Sequence, residues 1–113
     1  MDGKRKHKRF ETQYKIEFSS RDLSYEGESI DFSLNGLFIK TRNPFSPGTI
    51  ISIKLYIGDG LTSSLTGKVK RIMKISDELS GMGIEIINSD ANYCRFITAY
   101  YIRHTKSLLA VRA

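Results

Sequence analysis

The stretch "TIISIKLYIG", Thr49 to Gly58, puts Ile51, Ile53, Leu55 and Ile57 on one side and Ser52, Lys54 and Tyr56 on the other. A repeat of two cannot supply the 3.6-residue stripe of a helix, so this segment must be a strand with one buried face. A single strand cannot cover that face, and the rest of the chain has to supply the sheet. It does. Tyr14, Ile16 and Phe18 alternate with Lys15 and Glu17. "SYEGESIDFS" (Ser24 to Ser33) is weaker but strand-like, with Tyr25 and Ile30 as its expected core contacts. "GLFIKTR" follows after a tight "SLNG" turn.

The punctuation between strands is equally legible. "NPFSPG" (Asn43 to Gly48) carries two prolines and a glycine, which cannot continue a ladder. "GDG" at Gly58 to Gly60 reads as a hairpin turn. A long strand then runs through Leu65, Gly67, Val69 and Ile72, with Gly67 marking a bulge or a close backbone approach. "ISDELSG" turns the chain again, and "MGIEII" (Met82 to Ile87) supplies a sixth strand.

Near the C-terminus the period changes. Tyr93, Phe96, Ile97, Tyr100, Tyr101, His104 and Leu108 recur at three- and four-residue spacings, one face of an amphipathic helix. Ser89 or Asp90 is its expected N-cap. The aromatic stripe is expected to pack on the core, with Cys94 as a buried thiol beside it and His104 packed at its edge. Six short strands and one helix predict an all-β fold, a small six-stranded antiparallel β-barrel with a C-terminal α-helix. The expected layout is one domain over residues 1–113: a basic arm at 1–11, the barrel at 12–88 and the helix at 89–109.

Charge narrows the partners. The net charge is +6, but Lys4, Arg5, Lys6, Lys8 and Arg9 stand against Asp2 alone in the first ten residues, a local balance of +4. Only +2 is left for the other 103 residues. A body that grips long nucleic acid shows a broader basic face, so long nucleic acid is not an expected partner. No apolar run approaches the ~20 residues of a membrane span, and the N-terminus lacks the apolar core of a secretory signal. A single cysteine cannot form an internal disulfide, which fits a reducing cytoplasm. No Cys or His cluster has metal-ligand spacing. No nucleophile–base pair or carboxylate pair is evident either, so an enzyme is not expected.

Two short patterns carry chemistry. Arg5 and Arg9 form R-x-x-x-R, and each planar guanidinium can meet a phosphate, or the O6/N7 edge of guanine, with two hydrogen bonds. Alone, such a run reads as a solvated tail. "DFSLNG", Asp31 to Gly36, has the form D-x-S-x-x-G. Its plain reading is a hairpin turn in which Gly36 relieves a backbone position of positive φ. Its functional reading gives Asp31 as an acceptor for purine N–H groups, Ser33 as a partner for a ligand's polar edge, and Gly36 as room for close approach.

In this order and at this separation the two patterns resemble the PilZ domain family, bacterial receptors for cyclic di-GMP. "GMGIEI" (Gly81 to Ile86), followed by a helix, is similar to the last strand of those domains. The resemblance covers nearly the whole chain. It implies a six-stranded barrel whose outer surface holds the dinucleotide under the arginine arm. The implied ligand residues are Arg5, Arg9, Asp31, Ser33 and Gly36, with Lys4, Asn35 and Gly83 as secondary candidates. Lys4 stands where family members set whether one ligand or a stacked pair binds, and it is neither bulky and apolar nor arginine. No cofactor is implied beyond the ligand. The signal is expected to pass to a separate effector protein, in motility, exopolysaccharide production or virulence.

Two other readings remain. A PilZ-like adaptor could bind protein without nucleotide. A small barrel with a basic arm also resembles single-strand-binding modules, but those need exposed aromatic stacking platforms, and most strand aromatics here fall at core positions.

Overall fold

The computed structural model describes residues 13–112, with helix side chains placed as far as Tyr100, and also Ile102. The expected arm, with Lys4, Arg5 and Arg9, lies outside the described residues. Six strands run in sequence: β1 (Tyr14–Ser20), β2 (Leu23–Ile30), β3 (Gly36–Thr41), β4 (Ile50–Gly58), β5 (Leu61–Lys74) and β6 (Ser80–Ser89). One helix follows, α1 (Ala91–Arg112). The strands close into a barrel in the order β1-β2-β3-β6-β5-β4, every neighbouring pair antiparallel. Closure removes the free edges that an open sheet would expose. No described helix is long and apolar enough to cross a membrane.

The inward positions are those the alternation assigns. Ile16, Phe18, Leu37, Ile39, Ile51, Ile53, Leu55, Leu65, Val69, Met82 and Ile84 are buried in one core. Expectation and structure part at Ile30. In β2 the buried parity belongs to Ser29, and Ile30 turns to the outer face, half-buried. Tyr25 does pack on the core, but five residues separate it from Ile30, so the two cannot share a face of one strand.

Each end of the barrel is closed by rings. Phe18, Tyr25 and Phe45 meet at one end, with centroids 5.7–6.1 Å apart. At the other, Phe32 inserts among Tyr14, Phe96 and Tyr100 in edge-to-face contacts at 5.4, 5.0 and 6.0 Å, the geometry that ring quadrupoles favour.

Helix α1 is tied to the start of β5 by side chains at its own N-terminus. Asp90 is the N-cap: its Oδ1 accepts from the Tyr93 N–H at 3.1 Å and from the Ser63 hydroxyl at 2.7 Å, while Oδ2 accepts from the Ser64 N–H at 2.9 Å. Partial burial pushes the Asp90 pKa up. The bonds from Ser64, Ser63, Tyr93 and Asn92 outweigh that, and the carboxyl sits below its ordinary value. Tyr93 and Ile97 are buried, and Phe96 packs on the core beside them. Cys94 is exposed, against expectation: one residue on from Tyr93 is about 100° around the helix and off the buried stripe. The expected stripe positions Tyr101, His104 and Leu108 lie beyond the described side chains.

Candidate functional site

The D-x-S-x-x-G segment joins β2 to β3 at the ring-filled end that α1 covers. Asp31 leaves the strand with φ 54°, a left-handed conformation that aspartate tolerates better than most residues. That twist separates two neighbours. Phe32 turns inward and is buried, whereas Asp31 stands exposed. Among the described residues the Asp31 carboxylate has no hydrogen bond or ion pair.

Ser33 shapes the next step. Its N–H donates to the Gly36 carbonyl at 2.9 Å, and its hydroxyl accepts from the Gly36 N–H at 3.0 Å while lying 3.2 Å from the same carbonyl. The turn is thus cross-braced through one side chain. A serine hydroxyl has two acceptor lone pairs and one proton, so one lone pair remains. The Ser33 carbonyl accepts from the Tyr93 hydroxyl at 2.6 Å, and the Asn35 carbonyl accepts from the Ile86 N–H at 2.8 Å. Three elements therefore hold the turn: β3, β6 and α1.

Gly36 plays a part other than the expected one. Its φ is not positive; the left-handed residue of the motif is Asp31. A Cβ at Gly36 would stand 2.7 Å from the Ile84 carbonyl, so glycine lets β3 lie close against β6. Asn35 is exposed at the turn, and Gly83 lies on β6 opposite Phe38 of β3. Asp31, Ser33, Asn35 and Gly36 are brought together, with Gly83 on the neighbouring surface.

Sequence reasoning missed Tyr93 and Phe32 as parts of the site. Tyr93 was read only as core, yet its hydroxyl anchors the motif backbone. The available signal was a tyrosine at the third position of the helix, where a buried phenol needs an acceptor.

Two aromatics depart from the core pattern. Phe38 lies on the outer face with its ring over Gly81, and Tyr56 has the Lys15 and Lys54 ammonium groups 5.3 and 5.6 Å from its centroid. The Tyr56 hydroxyl bonds to Glu17, which, with partial burial and the charges of Glu17 and Glu26, raises its pKa. Both rings are engaged by their own chain, unlike a bare stacking platform. A shallow groove of about 540 Å³ lies elsewhere on the barrel, floored by Ser19, Ser52, Thr66 and Asn88, which are successive cross-strand neighbours. No motif residue lines it. Short side chains on the outer face account for the depression.

Among solved structures, the chain is similar to the Bacillus subtilis inhibitor of motility (MotI/DgrA), with a TM-score of 0.70 at 14% sequence identity. The match covers 89% of this chain and 53% of that one, so the chain spans about half of that protein's length. At this identity the likeness is one of fold. No curated protein matches the sequence. The profile of the PilZ domain matches residues 3–103. Folded as a closed six-stranded barrel and matched by the family profile over most of its length, the chain belongs to the PilZ domain family, a family of cyclic di-GMP-binding domains.

Proposed function

We propose that this protein is a receptor for cyclic di-GMP that passes the signal to a separate effector protein. The observation that carries the reading is the braced motif turn, which holds an exposed carboxylate, without a partner among the described residues, at a fixed place on the barrel. In this reading Asp31 accepts from guanine N–H groups. The remaining lone pair of Ser33 accepts from a ligand donor, and its main work is to hold the turn. Arg5 and Arg9 supply the forks for the phosphates and the other acceptor edges, with Lys4 and Asn35 adding secondary contacts. Gly36 acts through strand approach, placing the turn against β6.

Motility is one process such a receptor could serve, in keeping with what the similar Bacillus subtilis protein is named for. A PilZ-fold adaptor without nucleotide is the competing reading, and the same experiment separates the two. Calorimetry with cyclic di-GMP should detect binding by the unaltered chain. Arg9→Ala should weaken it by about 1.5–3 kcal/mol, the range for a hydrogen bond to a charged group, and Arg9→Lys should restore little of that. Absence of binding by the folded, unaltered protein would favour the adaptor.

A further inference from the structure

The strands that close this barrel are unequal in length. β5 has 14 residues and its neighbour β4 has 9. Their ladder ends where Ile50 faces Lys68, and the last bonds across it join Val69 to the Thr49 carbonyl at 2.9 Å and to the Gly48 N–H at 2.7 Å. Pro47 has no N–H to continue the ladder, and Gly48 turns the chain away with φ 94°. β5 nevertheless runs on to Lys74, held by β6 on one side. Along residues 70–74 its other edge has no backbone partner among the described residues.

The side chains on this edge show what is missing. Ile72 stands opposite Met82, which is wholly buried, so it has the inward parity of the core. It is nonetheless 38% exposed, because no strand lies beside it. Met73 and Ile75 are exposed as well, and three large apolar side chains open within four residues make a patch rather than a scatter. Charge narrows the occupant. Residues 70–75 hold Lys70, Arg71 and Lys74 and no acid. Lys70 pairs with Glu85 at 3.5 Å, whereas Arg71 and Lys74 have no ion pair among the described residues. Lys70 also occupies a bulge, where the register with β6 shifts between Val69 and Arg71. A bulge and cations blunt the edge against a second copy of this chain, whose own cations would face them across the ladder. An acidic strand meets no such repulsion.

We propose that the edge at residues 70–74 is a docking site for an extended acidic segment of a partner protein, which adds a strand in the place that β4 leaves vacant. Five residues span roughly 16 Å, room for a short added strand. Its backbone pairs with β5, an apolar residue of inward parity covers Ile72, and acidic residues flanking it lie beside Arg71 and Lys74. Lys74, Ser80 and Thr41 are successive partners at the end of the barrel away from Gly36, so the edge is remote from the motif turn. The inference does not depend on nucleotide binding.

The test is titration of the isotope-labelled full chain, without nucleotide, with a short blocked peptide of alternating glutamate and valine, following the backbone amides. Shifts should centre on residues 70–75, with slowed amide exchange along the edge. The same peptide with lysine for glutamate, or with proline at its centre, should bind about fivefold more weakly or worse. Ile72→Thr, which keeps a strand-forming residue, should weaken the glutamate peptide about fivefold by removing the apolar cover. Arg71→Glu and Lys74→Glu together should make the lysine peptide the tighter one. Melting curves check that each variant is folded. No shift at residues 70–75 with millimolar peptide, or equal binding of the glutamate peptide and either control, would overturn the inference and leave the receptor reading untouched. Shifts at the same residues on raising the protein concentration alone would make a second copy the occupant, and would overturn it too.

Discussion

Replacing Tyr93 by Phe removes one oxygen and leaves the ring. The Tyr93 hydroxyl lies 2.6 Å from the Ser33 carbonyl, and the side chain is buried with 0% exposure. A hydrogen bond of this kind contributes about 0.5–1.5 kcal/mol net, and an acceptor left without a partner adds up to about 1–3 kcal/mol. Ser33 is only half-buried, so water can reach part of its surface and the lower end applies. The expected loss is therefore about 1–2 kcal/mol. For a domain of this size that lowers the melting temperature by roughly 5–10 °C. The ring contact with Phe96, 6.1 Å between centroids, should survive, so the barrel stays folded. The same change frees the motif turn from α1, and affinity for cyclic di-GMP should fall with it. Thermal unfolding and calorimetry on the one variant read both effects. A melting temperature within about 1 °C of the unaltered protein would refute the claim that α1 anchors the motif.

Three other perturbations probe separate parts of the account. Asp90→Ala should cost about 1–2 kcal/mol near neutral pH through loss of the helix cap. The folded pKa of Asp90 is depressed, so its contribution is complete above the unfolded value of 3.8 and is lost as pH falls through the lower folded value. The stability gap between the two proteins should therefore narrow only in acid, and a gap unchanged down to acid unfolding would refute the assignment. Ser29→Ala should leave stability unchanged or raise it by about 1 kcal/mol in denaturant unfolding, because the buried Ser29 hydroxyl has no hydrogen-bond partner among the described residues; a clear loss would mean that it has one. Hydrogen exchange at residues 4–9 should slow when cyclic di-GMP is added, as the proposed pairing of the ligand phosphates with the bases of that segment requires; equal protection with and without ligand would count against that pairing.

Much of the fold was legible in local pattern. The alternation at Ile51, Ile53 and Leu55 names both the strand and its buried face, and the three- and four-residue spacing of Tyr93, Phe96, Ile97 and Tyr100 names the helix. Parity explains the error at Ile30: "SYEGESIDFS" has few apolar residues, and the true inward positions, Gly27 and Ser29, carry no apolar signal. Cys94 was misplaced because one apolar residue near a stripe is not on it. The site was legible as two motifs but not as a mechanism of support. That Ser33 braces its own turn and Tyr93 holds it from sixty residues away depends on barrel closure, which no local window contains. The role of Gly36 was hidden for the same reason, because its constraint is a carbonyl on β6.

The reading stands or falls on where the ligand sits. Titrating the isotope-labelled protein with cyclic di-GMP, and following its backbone amide resonances, locates the ligand residue by residue. The account predicts shifts concentrated at Asp31 to Gly36, at Gly83 and at residues 4–9, with Ser19, Ser52 and Thr66 unmoved. Asp31→Ala should abolish the pattern at the same ligand concentration. Shifts centred on the Ser19, Ser52 and Thr66 groove, or an equal response to GMP, would contradict it.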